Sequence, residues 1–303
     1  MVANFDQEPD PLAILRSVDW SADEPPVRIT VGWDTLLWRF VSSGTPYALR
    51  LYRREADPAR LEAAAGHEAT AMAGARKAGL PVPRIEARGS FEGVPFFVLE
   101  WRGGERMLAH GRKRPWRIAR LGFNFGRAQA RLHTAVPPPG LRCNGHDWIE
   151  ENVGHNALAR RITAGGDFTT LCHLDFHPLN VLVRGTRISG VLDFRNAALC
   201  DRRADLAVTK TTLLVVPLPH DWKRPIFDGV RKLVAREWEK GYRAEAGDFP
   251  LNPDYEALGI CHYVREVERA VAEGRGWARE QDMGPLRAYR AARLRDVGLD
   301  ETG

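Results

Sequence analysis

Three oxygen-bearing side chains in one short stretch could do the most chemistry in this sequence. Asp175 lies in His173-Leu174-Asp175-Phe176-His177-Pro178-Leu179-Asn180, with Asn180 five positions on and Asp193, in Leu192-Asp193-Phe194, eighteen positions on. A carboxylate can take the proton of an attacking hydroxyl. Hard Mg2+ prefers carboxylate and amide oxygens, which an Asp and an Asn around one pocket supply. Phosphoryl transfer from a nucleoside triphosphate needs both functions, a proton acceptor and oxygen ligands that hold Mg2+ against the phosphates. The pattern therefore assigns Asp175 as base and Asn180 and Asp193 as metal ligands. Taken singly, Asp175 reads as a helix cap or turn residue and Asp193 as a strand end. Their order and spacing, together with Asp205, favour the chemical reading. His173 is expected to hydrogen-bond loop backbone, and His177 to lie in a surface loop or on the rim of the site.

The elements that must position these groups fall into two kinds. Up to about residue 101 the chain reads as strands around one helix. Val27 to Thr30, Leu36 to Val41 and Tyr47 to Tyr52 are short β-type runs, the last two joined by Ser42-Ser43-Gly44-Thr45-Pro46. Asp57-Pro58 is a cap followed by proline at the first helical position, an alanine-rich helix follows, and Gly79 and Pro81 end it. Arg84 to Gly89 and Pro95 to Trp101 read as two more strands. Beyond Gly103-Gly104 the pattern turns helical. Trp116 to Thr134 spaces Ile118, Leu121, Phe125, Ala128 and Leu132 as one apolar stripe. A strand island at Val181–Val183 and Ile188–Leu192 interrupts the helices, and segments 224–243 and 254–297 read as helical again. The expected division is residues 1–101 and residues 102–303.

These motifs resemble the aminoglycoside-phosphotransferase and choline-kinase-like superfamily of small-molecule kinases. His173-Leu174-Asp175, Asn180, Leu192-Asp193-Phe194 and Asp205-Leu206-Ala207 stand in the order of the family's catalytic and metal loops. The resemblance runs from about residue 28 to residue 210. It implies an α+β, two-lobe protein-kinase-like fold: an N-terminal antiparallel sheet with one long helix, and a mainly helical C-terminal lobe. It also implies a phosphotransferase that moves the γ-phosphate of ATP or GTP, with Mg2+, to a hydroxyl of a small molecule. By the same resemblance Arg50 grips the α- and β-phosphates, Glu68 orients it, and Glu100 and Trp101 form the hinge that meets the purine, Glu100 through its backbone. Asp205 would brace the catalytic loop, and Ala130-Arg131-Leu132-His133 would pack beneath it. Leu174 stands where the family has Gly, and Cys200 near where a Gly is common. The turn Val31-Gly32-Trp33-Asp34-Thr35 would cover the phosphates with a single glycine. The acceptor pocket would lie within 141–170 and 208–297, where His262, Tyr263 and Glu266 are candidates.

Composition sets the outer bounds. The 303 residues are 44% hydrophobic and 27% charged, ordinary globular usage, and the net charge of +5 permits anionic ligands without demanding nucleic acid. Cys143, Cys172, Cys200 and Cys261 form no C-x-x-C pair and read as reduced core thiols of a cytoplasmic protein. The acidic start, Met1 to Asp10, has no basic stretch followed by an apolar core, so no signal peptide is expected. No apolar run approaches the ~20 residues that span a bilayer. A monomer without membrane contact is the expectation. Residues 102–131 hold nine Lys or Arg against one acid, Glu105. That run reads first as a solvated face, then as attraction for an anionic ligand. Two rival functions remain at this point: a kinase-like nucleotide sensor without transfer, and a nucleic-acid-binding module built on the basic run.

Overall fold

The computed structural model describes residues 8–29, 35–53, 57–215, 224–275 and 277–300. Residues 31–34 of the expected phosphate-covering turn lie outside them.

A short helix, α1 (Pro11–Arg16), comes first; the Asp10 carboxylate caps it by accepting from Leu12 N at 2.9 Å, and Ile14 and Leu15 are buried. It packs on an antiparallel sheet of order β1 (Val27–Arg28), β2 (Thr35–Ser42), β3 (Thr45–Tyr52), β5 (Val94–Glu100) and β4 (Ile85–Phe91). The hairpin between β2 and β3 needs only Ser43 and Gly44, both left-handed with φ of 48° and 74°, so the turn is tighter than the five residues expected. Between β3 and β4 runs α2 (Pro58–Lys77), capped by Asp57, which accepts from Ala59 N and Arg60 N. Leu61, Ala65, Glu68, Ala71, Met72 and Ala75 form its buried face, and Gly79, φ 81°, releases the chain from it. On β5 every side chain except Glu100 is buried, so this strand is the core of the sheet.

After the sheet come β6 (Glu105–Arg106), α3 (Met107–Lys113) and α4 (Ile118–His133), then α5 (Gly145–Val153), α6 (Asn156–Gly165) and β7 (Thr170–Cys172). The expected strand island is β8 (Val181–Arg184) and β9 (Arg187–Val191); β6 joins it, and β10 (Ala198–Cys200) pairs with β7. Four helices finish the chain: α7 (Arg202–Val215), α8 (Arg224–Ala246), α9 (Pro253–Ala272) and α10 (Met283–Asp296). The stretch read as helical over 254–297 is thus broken, by a turn at Gly274 with φ 66°. The closest helix crossing is α4 on α8. A Cβ on Gly126 would run into the Trp238 carbonyl, and one on Gly241 into the Phe123 carbonyl, so only glycine lets these two backbones approach this far. One apolar cluster runs from Leu49, Phe96 and Val98 of the sheet through Phe125, Phe176 and Phe194 to Trp238 and Tyr242. Cys172, Cys200 and Cys261 are buried as expected, but Cys143 is exposed, in the irregular segment before α5. Among the described residues no helix is long and apolar enough to cross a membrane.

Candidate active site

The loop that carries Asp175 is held from below. Asp205, on the first turn of α7 and fully buried, accepts from Leu174 N at 2.6 Å through Oδ1 and from His173 N at 3.3 Å through Oδ2. His133 Nε2, on α4, lies 2.8 Å from the same Oδ2, and Gln129 Nε2 donates to it at 3.1 Å. Burial alone would raise the Asp205 pKa, but these donors, with His133 and His173 nearby, lower it below the ordinary carboxylate range. The network continues outward. His133 Nδ1 lies 2.8 Å from the Tyr242 hydroxyl, Trp238 Nε1 donates to Gln129 Oε1 at 2.8 Å, and Thr209 Oγ1 donates to Phe176 O at 3.0 Å. Asp205 is the brace expected, and α4 packs under the loop as expected. Leu174 occupies its glycine-like place at φ 59°, a left-handed conformation that costs a Leu roughly 1–2 kcal/mol. Its side chain is fully buried, in the cluster with Cys172, Ala198 and Leu258. Burial and the Asp205 bond together hold the strained backbone in place.

His133, Cys172 and Asp205 come close enough to suggest a buried metal centre. Both His133 nitrogens and the Asp205 oxygens already have partners, and the Cys172 thiol donates to Cys200 O at 3.5 Å with its pKa raised by burial. The trio is a hydrogen-bonded core, not an open ligand set.

Above this brace Asp175 meets Asn180 and His177. Asn180 Nδ2 donates to Asp175 Oδ2 at 2.9 Å and to Asp175 O at 3.1 Å, and Asn180 O accepts from Leu192 N at 2.9 Å. One residue therefore ties the Asp175 loop to the strand that delivers Asp193. His177 Nε2 lies 3.2 Å from Asp175 Oδ1, which places His177 on the rim of the site. Burial pushes the Asp175 pKa up and the His177 pKa down. Their mutual attraction overrides both, so Asp175 is lowered and His177 raised. His173 sits beneath, fully buried, with Nε2 3.0 Å from Leu192 O and its ring against Phe176 and Phe194, the backbone-holding role expected. Asp193 has φ 64° and opens to the cleft. Desolvation by the surrounding protein raises its pKa, and the charges of Glu68 and Asp175 raise it further, against the pull of Arg50 and Arg195.

That crowding tests whether Mg2+ fits. With the Asn180 nitrogen engaged by Asp175, its amide oxygen is the atom left for a cation. The Asp193 carboxylate has its pKa raised by desolvation and by the charges of Glu68 and Asp175, which a divalent ion would offset. Hard oxygen donors in a negative field suit Mg2+.

Arg50 and Glu68 meet as expected, and they are not a surface pair. Arg50 Nη2 lies 2.8 Å from Glu68 Oε1, with side-chain exposures of 10% and 0%, low enough that solvent screening does not dissolve the pair. Burial alone would lower the Arg50 pKa, but Glu68, Tyr52 and Asp193 leave it raised. Sequence reasoning missed Tyr52. Its hydroxyl donates to Glu68 Oε2, and the Arg50 and Arg195 guanidinium groups lie 5.3 Å and 5.7 Å from the centre of its ring. Two signals were present: Tyr52 is two positions from Arg50 on the same strand and so on the same face, and Arg195 directly follows Asp193-Phe194.

At the hinge, Glu100 N donates to Arg84 O at 2.8 Å, and the Glu100 carboxylate accepts from Arg84 N and pairs with Arg102 at 3.1 Å. Trp101 lies under the Arg39 guanidinium at 5.5 Å. Five of the nine bases in the run have carboxylate partners: Arg102 pairs with Glu100, Lys113 and Arg114 with Glu105, and Arg127 and Arg131 with Glu245. These bonds hold Glu105 down at a pKa of about 2, Lys113 first. Of the acceptor candidates, His262 is buried against Trp148 at 4.9 Å, its pKa lowered by burial against the raising charges of Glu266 and Asp175. Tyr263 belongs instead to the apolar cluster with Met283 and Leu286, and Glu266 is paired with Arg269 at 2.7 Å.

A family model described as the phosphotransferase enzyme family matches residues 27–161 and 148–247, which takes in every group above from Arg50 to Tyr242. The chain belongs to the phosphotransferase enzyme family. Solved structures agree on the fold. The chain superposes on a thermostable mutant of the aminoglycoside phosphotransferase APH(4)-Ia, in ternary complex with ADP and hygromycin B, with a TM-score of 0.64 at 14% identity, covering 97% of this chain and 100% of that one. APH(3'')-Id from Streptomyces rimosus, in complex with ADP and streptomycin, gives 0.57 at 16% identity over 83% and 96%. APH(9)-Ia, with ADP and spectinomycin, gives 0.54 at 12% identity over 92% and 91%. No curated protein sequence matches the chain. At such identities the likeness of this phosphotransferase to those structures is one of fold.

Proposed function

We propose that this phosphotransferase moves the γ-phosphate of ATP or GTP to a hydroxyl of a small molecule. The observation that carries this reading is the joined set of Asp175, Asn180 and Asp193: a lowered carboxylate ready to accept a proton, beside an amide oxygen and a carboxylate fit for Mg2+. The ADP complexes of the structures that share its fold support the nucleotide. Asp175 takes the acceptor's hydroxyl proton as its oxygen attacks the γ-phosphorus. Asn180 and Asp193 would hold Mg2+, whose charge offsets that of the phosphate oxygens. Arg50, oriented by Glu68 and Tyr52, lies against the α- and β-phosphates. The purine sits at the Glu100–Trp101 hinge, where the Glu100 amide is already bonded and its carbonyl is what remains to offer. In this reading the lobes divide between residues 101 and 102 and the nucleotide lies between them. An intracellular, monomeric protein accords with three buried free thiols. The pairing of the basic run with Glu100, Glu105 and Glu245 argues against a phosphate-tracking surface for nucleic acid, and the Leu174–Asp205 bond keeps the loop formed where a non-catalytic sensor would not need it.

The test is Asp175→Asn. With an acceptor found by a screen coupled to nucleoside diphosphate release, kcat should fall roughly 10²- to 10⁴-fold, the usual contribution of a positioned base, while nucleotide binding stays. Turnover at the wild-type rate would remove Asp175 from the mechanism.

A further inference from the structure

Arg106 stands apart from the rest of the basic run. Arg112 and Arg120 are exposed to water, five other bases of the run have carboxylate partners, and Arg117 Nη1 lies 3.4 Å from His110 Nε2. Arg106 is half-buried, yet its side chain has no hydrogen bond or ion pair among the described residues. A guanidinium partly withdrawn from water without a counterion is costly unless a ligand supplies one.

Its direction follows from the strand. Side chains alternate across a strand, and on β6 the Glu105 carboxylate turns toward His110, Lys113 and Arg114. Arg106 therefore takes the opposite face, which it shares with its cross-strand partner Leu182, two residues beyond Asn180. Two residues further on, Leu108 N donates to Pro178 O at 3.4 Å and seats this segment against the catalytic loop. Burial lowers the pKa of Arg106, with the charge of Asp193 pulling the other way, and the charge of Arg106 in turn reaches His177 and opposes its raised pKa.

Resting on the phosphotransfer reading, we infer that Arg106 binds the terminal phosphate of the nucleotide, between Asp175 and Asp193, as the phosphoryl group passes to the acceptor. In that step the acceptor's O–H bond gives its proton to Asp175 and a bond forms from that oxygen to the γ-phosphorus. The bond from the γ-phosphorus to the bridging oxygen breaks, and its electron pair leaves with the nucleoside diphosphate. A guanidinium donates two parallel bonds to the non-bridging oxygens throughout, which an ammonium cannot do.

The experiment is calorimetric binding of a non-hydrolysable ATP analogue and of ADP, each with Mg2+, to wild type, Arg106→Gln and Arg106→Lys. Arg106→Gln should weaken the triphosphate roughly 10- to 100-fold, the loss of one charge-assisted contact, and leave ADP unchanged, with Arg106→Lys between. Equal weakening of both nucleotides, or of neither, overturns the inference; the latter is what an Arg106 that recognises an anionic acceptor would give. If wild type binds neither nucleotide, the phosphotransfer reading itself fails. If wild type binds both and Arg106→Gln keeps the same preference, only the role of Arg106 is lost.

Discussion

Asp205 and Asp193 are two aspartates of one site whose pKa values move in opposite directions. Asp205 lies deeper, yet its pKa falls, because backbone and side-chain donors converge on both of its oxygens. Asp193 opens to the cleft, yet its pKa rises, because Glu68 and Asp175 add like charge to its desolvation. Depth does not separate structural from functional carboxylates here. Whether the protein itself completes the group's partners does. Asp205 is complete and holds geometry, whereas Asp193 has no hydrogen-bond donor among the described residues and is the carboxylate that the proposed function gives to a cation.

This contrast can be broken in several ways. Asp205→Ala leaves His133, Gln129 and two loop amides without their acceptor and should cost about 3–5 kcal/mol in urea unfolding; a loss under about 1 kcal/mol would show that the brace is dispensable. Leu174→Ala and Leu174→Gly both open a cavity. Only Gly relieves the left-handed backbone, so the Gly variant should be the more stable by about 1 kcal/mol despite the smaller side chain. If Ala is the more stable, the strained conformation is not present in solution.

Asp193→Asn should change stability in the other direction from Asp205→Ala. A carboxylate with a raised folded pKa stabilises below its unfolded pKa, and that contribution is lost as pH rises through the folded value. In metal-free protein near neutral pH, the Asn variant should therefore melt at or above wild type, read by thermal scans in EDTA. Asp205 behaves oppositely, its contribution present above the ordinary carboxylate pKa and lost as pH falls through the lowered one. The smallest signal is His177: in Asp175→Asn its raised pKa should drop, since burial and Arg106 are then opposed only by the charge of Asp193. An NMR titration of the ring protons reads this directly, and an unchanged value would mean that Asp175 is not its partner.

Much of the fold was legible because local signals agreed with tertiary packing. Asp57-Pro58 and Gly79 bounded α2 at both ends, and the runs Tyr47 to Tyr52 and Pro95 to Trp101 read as strands that the structure pairs as β3 and β5. The short helices α1, α3, α5 and α6 escaped because fewer than about three turns leave little periodicity to read. In the candidate site, Asp175, Asn180 and Asp193 were expected from their spacing and Arg50 and Glu68 from the family resemblance, and the structure pairs Asn180 with Asp175 and Arg50 with Glu68. Tyr52 and Arg195 were missed although their positions beside Arg50 and Asp193 hinted at them, because which face of β3 meets Glu68 is decided only by how α2 packs on the sheet. Arg106 was counted only as one base among nine, since the sequence does not show which of those bases have acids folded against them.

The glycines where α4 crosses α8 reach further than their position suggests. One of these helices carries Gln129 and His133 and the other carries Trp238 and Tyr242, all joined to Asp205 or to its neighbours. A single methyl group at position 126 or 241 would force the two rods apart and pass that displacement along the hydrogen-bond chain to the backbone amides beneath the base. A mutational scan scored by turnover should therefore mark these two positions as intolerant, although neither touches a reacting atom.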